Sequence, residues 1–120
     1  AVPIITVIYG EGGSGGALAL SCGDEVWMLE HSTYSILSPE GFASILWKDS
    51  KRANEAAELM QLTPAALEDQ GMIEGIIAEP ADHQEVIRAV DRVLVARLNE
   101  LQQLAPAELV AKRAQRYRKY

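Results

Sequence analysis

Tyr9-Gly10-Glu11-Gly12-Gly13-Ser14-Gly15-Gly16-Ala17-Leu18-Ala19-Leu20 follows directly on the apolar run Pro3 to Ile8, and the architecture of the chain turns on what this stretch encodes. Five of the nine glycines of the chain fall between residues 10 and 16. The run before them reads as a buried strand and the run after them as the start of a buried helix. A strand, a glycine turn and a helix N-terminus gather free backbone N–H groups around one point, because the first helical turn has no internal acceptors for them. Such a point attracts negative charge. Glycine lets a ligand atom approach the main chain without meeting a Cβ. A site of this kind is made of backbone rather than side chains.

Three chemistries compete for this turn. A nucleotide P-loop ends in Gly-Lys-Ser/Thr, whereas this helix opens Gly15-Gly16-Ala17-Leu18 with no lysine to reach a phosphate. The string Gly10-Glu11-Gly12-Gly13-Ser14-Gly15 matches the dinucleotide pattern G-x-G-x-x-G, but only Glu30 stands near the place of the required second acidic residue, and only by position. The third reading is an oxyanion hole, where each fixed N–H donor is worth on the order of 3 kcal/mol of barrier. Against all three stands a packing turn in which glycine merely permits close approach. Five glycines in so short a stretch favour a site.

Outward from this turn, Ile4 to Tyr9 reads as a strand buried on both faces, as in helix-covered parallel sheets. Ala17 to Ser21 reads as a short helix of small residues, and Gly23-Asp24 turns the chain into a second buried strand, Glu25 to Leu29. Ser32 to Leu37 alternates as a third strand. Ser38-Pro39-Glu40 is a helix start with a cap, a proline at the first position and an acid on the dipole. That helix carries Phe42, Ile45 and Leu46 as an apolar stripe to about Trp47. A second helix spans about Lys51 to Met60, and Thr63-Pro64 opens a short one that Gly71 stops. Met72 to Ile77 is a fourth strand, closed by Glu79-Pro80. Asp82 and Glu85 form a capping box for a helix whose Val86, Val90, Val93, Leu94, Leu98, Leu101 and Leu104 share one face. Ala105-Pro106 restarts the chain as a last helix. Alternating strands and helices give an α/β layered fold.

With 120 residues, 48% hydrophobic and a net charge of −6, the chain bounds itself to one domain or part of one, and has no basic face for nucleic acid. Lys112, Arg113, Arg116, Arg118 and Lys119 form the only basic cluster, read as a solvated helix end. One cysteine, Cys22, excludes an internal disulfide and fits a reducing cytoplasm; it reads as a small core residue. No apolar run reaches the ~18 residues of a membrane helix. No spacing supports a metal site. The opening Ala1-Val2-Pro3, with neither methionine nor a polar lead-in, reads as a chain cut from something longer.

The glycine turn, together with Tyr34-Ser35-Ile36-Leu37-Ser38-Pro39-Glu40-Gly41 and Ala43-Ser44-Ile45-Leu46-Trp47-Lys48, resembles the carboxyltransferase alpha subunit of bacterial acetyl-CoA carboxylase. Ala56-Ala57, Leu62-Thr63 and Ile76-Ile77-Ala78-Glu79-Pro80 extend the likeness to the C-terminal helices. It covers the whole chain and only the later part of the family's subunit. The resemblance implies a crotonase-type spiral of strand-strand-helix units, with residues 1–120 as the C-terminal part of a single carboxyltransferase domain and helices from about 82 to 120. It implies transfer of carboxyl from carboxybiotin on a carrier protein to acetyl-CoA, giving malonyl-CoA. By position, Gly15 and Gly16 supply the oxyanion-hole N–H donors for the biotin carbonyl, and Gly12, Gly13 and Ser14 shape the adjoining substrate-binding turn.

The implied partners are a beta subunit with a zinc ribbon and its own oxyanion hole, and the biotin carboxyl carrier protein, in an alpha2beta2 enzyme of the cytoplasm. The chain by itself is expected to be inactive. Two departures stand out: Phe42 replaces a common cysteine, and Pro80-Ala81-Asp82-His83-Gln84 replaces a Pro-Leu-Gly-Gly-Ala-His-Arg segment. His31 and His83 read as exposed or loop residues, Trp27 and Trp47 as packing residues, and Glu11 as either a general base or a loop stabiliser. Alternative readings are a crotonase-type acyl-CoA hydratase, isomerase or decarboxylase, which needs an acid or base that no motif supplies, and a non-catalytic structural fragment.

Overall fold

The computed structural model describes residues 1–120. Two strand-strand-helix units follow one another: β1 (Ile5–Ile8), β2 (Glu11–Gly13) and α1 (Ser14–Leu20), then β3 (Glu25–Leu29), β4 (Thr33–Ser35) and α2 (Pro39–Trp47). The helices α3 (Ala53–Met60) and α4 (Pro64–Asp69) lead to β5 (Gly75–Ile77), and α5 (His83–Gln102) and α6 (Pro106–Arg118) complete the chain. β1, β3 and β5 form a parallel sheet in that order, with Ile8 opposite Met28 and Met28 opposite Ile76. β2 pairs in parallel with β4 as a separate ribbon, Gly12 opposite Tyr34. Each unit therefore adds one strand to the sheet and one to the ribbon, which is the stacking expected of the spiral.

β3 is the centre of this arrangement and is buried along nearly its whole length. Val26 and Met28 are fully enclosed and form the core with Ile8, Leu67 and Ile73; burying each such side chain contributes about 1.5–3 kcal/mol. Gly75 lies opposite Trp27, and a Cβ there would stand 2.4 Å from the indole ring, so the bulk of the tryptophan is accommodated by the missing side chain.

β1 departs from expectation. It is an edge strand whose residues are half-buried apart from Ile8, while Tyr9 is 81% exposed. Its β-branched run has the composition of a two-sided strand, but no element of this chain covers its second face or edge. The same holds for α1, which has no buried residue, with Leu18 and Leu20 in solvent. Cys22 is an exposed thiol whose Sγ donates to the Leu18 carbonyl at 3.2 Å, not a core residue; Ser21 and Gly23 beside it are buried instead.

The helix starts form as their sequences dictate. The Ser38 hydroxyl accepts from the Gly41 N–H at 3.1 Å, and Thr63 accepts from Ala66. Asp82 accepts from Gln84 at 2.9 Å, one residue earlier than a full capping box requires. On α2 the buried position is Ala43, and Ile45 and Leu46 face solvent, so the apolar stripe is not the face that packs inward. On α5 the chosen apolar face is the less exposed one, yet only Leu101 is buried.

The basic C-terminus is not a solvated end. Arg113 grips Asp24 with two hydrogen bonds of 2.8 and 2.9 Å, Arg116 pairs with Glu74, and the Tyr117 hydroxyl lies 2.7 Å from the Ser21 carbonyl oxygen. Lys119 donates to the Gly71 carbonyl. These contacts tie α6 to the entry of β3, where Arg97 of α5 also binds Glu25. Lys112, in an exposed pair with Glu108, and the exposed Arg118 follow the expectation.

Candidate functional site: a backbone donor pair at the head of α1

The glycine-rich stretch is a short strand followed by a helix rather than one turn. Glu11–Gly13 runs as β2, anchored by the Thr33 N–H donating to the Gly10 carbonyl at 2.9 Å, and the helix begins at once with Ser14. The chain reverses at Ser14, whose φ of 59° lies in the left-handed region. A non-glycine residue there costs about 1–2 kcal/mol.

Gly15 and Gly16 lie in the first turn of α1, so their N–H groups have no acceptor within the helix. No side chain caps this end, no acidic residue lies in its first turn, and no loop or cap hydrogen bond takes either group. Both glycines are exposed, and a Cβ built on either, or on Gly13, would meet no atom within 4 Å. Two adjacent amides of exposed residues are therefore left without a hydrogen-bond acceptor from the protein. Gly12 has a different role: its Cβ would press on the Ile8 side chain at 3.2 Å, so it is a packing position that lets β2 approach β1.

Two cavities flank this helix head. One of about 270 Å³ lies between β1 and α1, lined by Thr6, Ile8, Tyr9, Ala17 and Leu20. The other, about 390 Å³, is apolar at eight of its eleven lining residues and is bounded by Ser14, Leu18, Tyr34, Phe42, Met60 and Leu67 among them. Gly15 and Gly16 line neither.

The remaining candidates lie apart. Glu11 is exposed at the start of β2. His31, in the β3–β4 turn, is exposed and sits 3.1 Å from a Glu79 oxygen through Nδ1. Glu79 also accepts from the His31 N–H, while Glu30 accepts from the Glu79 N–H, locking the ends of β3 and β5 together. Sequence reading missed this reciprocal pair, because its partners are 49 residues apart. His83 is the exposed first residue of α5. Trp27 donates to Glu25 at 2.8 Å, and Trp47 lies under Arg52 and edge-on to Phe42, so both indoles have structural partners. No three histidine, cysteine or carboxylate side chains stand close enough to hold a metal ion, and no helix is long and apolar enough to cross a membrane.

Glu25 is the most strongly engaged acid of the chain. Burial pushes its carboxyl up, but hydrogen bonds from Arg97 and Trp27 outweigh this and hold it below its usual value near 4.5. Asp24 follows the same logic, with Arg113 and the Ile4 N–H overcoming burial. Both lie at the N-terminal end of β3, away from the glycines, and serve the attachment of α5 and α6.

Stacked strand-strand-helix units with open amides at a helix head define a crotonase-type α/β protein. The fold is shared with the transcarboxylase 12S structure, a hexamer assembly solved with methylmalonyl-coenzyme A and methylmalonic acid bound, at a TM-score of 0.55 and 22% identity over 78% of this chain and 20% of that one. The family model for acetyl co-enzyme A carboxylase carboxyltransferase-like proteins matches residues 1–120, and the chain belongs to that family. It is 54% identical over 120 residues to the acetyl-coenzyme A carboxylase carboxyl transferase subunit alpha of Streptococcus thermophilus, covering 99% of this chain and 47% of that protein. The corresponding subunit of Aromatoleum aromaticum is 51% identical over 124 residues, covering 99% of this chain and 38% of that protein. The chain thus spans less than half the length of these curated relatives.

Proposed function

We propose that this chain is the C-terminal part of a single carboxyltransferase domain, within the alpha subunit of an acetyl-CoA carboxylase, and that it helps move a carboxyl group from carboxybiotin to acetyl-CoA to give malonyl-CoA. The observation that carries the reading is the pair of unclaimed N–H groups of Gly15 and Gly16. A carbonyl oxygen that approaches them gains two fixed donors and the favourable end of the helix dipole as its charge develops. Because the donors are already oriented, no reorganisation is needed during the reaction.

The residues present fit a biotin ureido carbonyl: the amides are bare, no carboxylate in the first turn repels the developing charge, and no Cβ blocks the approach. Carboxybiotin, when bound, would supply the carboxyl group as CO2, and the biotin anion left behind would be the base for the methyl proton of acetyl-CoA. This division of labour agrees with a first turn of α1 that carries no acidic residue. The role of this chain is to hold the biotin oxygen and bear its charge. A beta subunit with its zinc ribbon supplies the second oxyanion hole and most of the CoA site, and the carrier protein delivers biotin to an alpha2beta2 assembly in the cytoplasm.

Malonyl-CoA decarboxylation by the assembled full-length complex, with free biotin as carboxyl acceptor, tests the proposal. Activity that depends on biotin supports it. Hydration or isomerisation of an enoyl-CoA without biotin would instead assign the chain to the acyl-CoA hydratases and isomerases.

A further inference from the structure

α1 is too short to stand alone. Helices below about 12–15 residues are marginal in water, and this one has seven residues, two of them glycine, and no buried side chain. Its N-terminal end continues directly from β2, which β4 holds by pairing. The last carbonyls of a helix have no donor within it, and here two hydroxyls from opposite ends of the chain supply the want. Thr6 Oγ1 of β1 donates to the Leu20 carbonyl at 2.7 Å. The Tyr117 hydroxyl of α6 lies 2.7 Å from the Ser21 carbonyl oxygen and 2.8 Å from that of Gly23. The other side chain at this end, the Cys22 thiol on the Leu18 carbonyl, belongs to the helix's own continuation.

Tyr117 is itself held in place. Arg113, one turn before it, binds both oxygens of Asp24 and the Val2 carbonyl, Arg116 pairs with Glu74, and Leu109 is buried near the start of the helix. Burial pushes the phenol above its usual value near 10, so it stays protonated and remains a donor at neutral pH. α6 therefore reaches the end of α1 from 96 residues away.

We propose that Thr6 and Tyr117 are positioning residues that fix α1 from its C-terminal end, and that α6 acts through Tyr117 as the strap that sets the direction of this helix. Releasing the C-terminal end leaves α1 free to tilt about its junction with β2, and the N–H groups of its first turn tilt with it. Neither residue touches a substrate. The effect on turnover rests on the function proposed above; the ordering of α1 does not.

The assembled complex with the full-length subunit is the material for the test. Tyr117→Phe and Thr6→Val each remove one hydroxyl at nearly constant shape. Lys119→Met is the control, since it removes a hydrogen bond from the end of α6 to Gly71 that does not reach α1. Hydrogen exchange, followed by mass in the peptide spanning residues 17–23, is expected to accelerate about fivefold in either hydroxyl-free variant, the opening that one lost hydrogen bond allows, while exchange in β3 stays within about twofold of the parent. In biotin-dependent malonyl-CoA decarboxylation, kcat is expected to fall at least about threefold with KM for malonyl-CoA within about twofold, because misdirected donors weaken the transition state and not the ground state. Lys119→Met is expected to leave both readouts within about twofold, as a surface change does.

Unchanged exchange across residues 17–23 in both hydroxyl-free variants overturns the inference. So does an equal acceleration in Lys119→Met, which would mean that α6 loosens the whole body rather than α1. Faster exchange with unchanged kcat in an active complex overturns the positioning role. If one hydroxyl-free variant fails to assemble, the other carries the test through both readouts. A parent complex with no biotin-dependent activity would instead fail the functional proposal, and hydrogen exchange then decides this inference by itself.

Discussion

At Gly75 the geometry leaves no room for choice. A methyl group there would sit 2.4 Å from Cζ3 of Trp27, against ring atoms that cannot bend aside, and Trp27 is held in turn by its hydrogen bond to Glu25. Gly75→Ala is therefore expected to lower stability by about 1–3 kcal/mol through overpacking, read as a fall in urea midpoint at unchanged slope. An unchanged midpoint would mean that the indole repacks freely. Gly15 and Gly16 present the opposite case, since a Cβ at either meets open space. The same residue type therefore serves two purposes within one chain: at residue 75 it yields volume to a neighbour, and at residues 15 and 16 it leaves the backbone bare. Sequence alone distinguishes these only through clustering, because an isolated Gly75 in a strand carries no signal of which side chain lies opposite.

At the scale of elements, local signals were legible and long-range ones were not. The caps of α2 and α4 are written within four residues, and both form as their sequences specify. The strand character of Glu25–Leu29 follows from its own apolar run, and it is the most buried strand. By contrast, β2 is hidden inside the glycine-rich stretch, because its pairing to Thr33–Ser35 depends on a partner some twenty residues away and not on β propensity. The binding of α6 was equally invisible: Arg113 and Arg116 look like an exposed basic end until Asp24 and Glu74 are brought to them. The open amides of Gly15 and Gly16 could be anticipated as residues, but their freedom from any cap became clear only with the helix start at Ser14.

The polar clamp on β3 has a consequence for acid stability. Glu25 is held below its usual value near 4.5 in the folded chain, so its ionised form is favoured by folding. Its contribution is fully present above that value and is lost as pH falls through the lower folded value. Unfolding free energy is therefore expected to decline on acidification below about pH 4.5, with Glu25→Gln showing a shallower decline. Equal slopes in parent and variant would mean that the Arg97 pair contributes nothing to acid stability.

As a whole molecule the chain is more open than its length suggests. Its radius of gyration is 16.0 Å, against about 13.6 Å for a compact domain of this length. Its accessible surface is 7736 Å², against about 6,400 Å² for a compact monomer of its mass. Large apolar side chains such as Tyr9, Leu20, Ile36 and Ile45 stand in this surplus surface, on β1, α1, α2 and their connections. The residues at the head of α1, Gly13 to Gly16, are exposed as well, so the proposed donor site lies in surface that its own chain leaves uncovered. A site built of two amides in open solvent gains catalytic force only when water is excluded from it, and in the function proposed above that exclusion falls to the partner subunits.

The decisive measurement is biotin-dependent malonyl-CoA decarboxylation by the full-length complex carrying Gly16→Val, with assembly and helix content checked alongside. A Cβ added at Gly16 meets no protein atom within 4 Å, valine suits a helix at least as well as glycine, and its branched side chain adds bulk beside the donor pair. If a substrate oxygen is held by these amides, the assembly stays intact and its turnover falls by at least about a hundredfold, as when an oxyanion donor is lost. An intact assembly that turns over at the parent rate would show that no substrate oxygen rests on them.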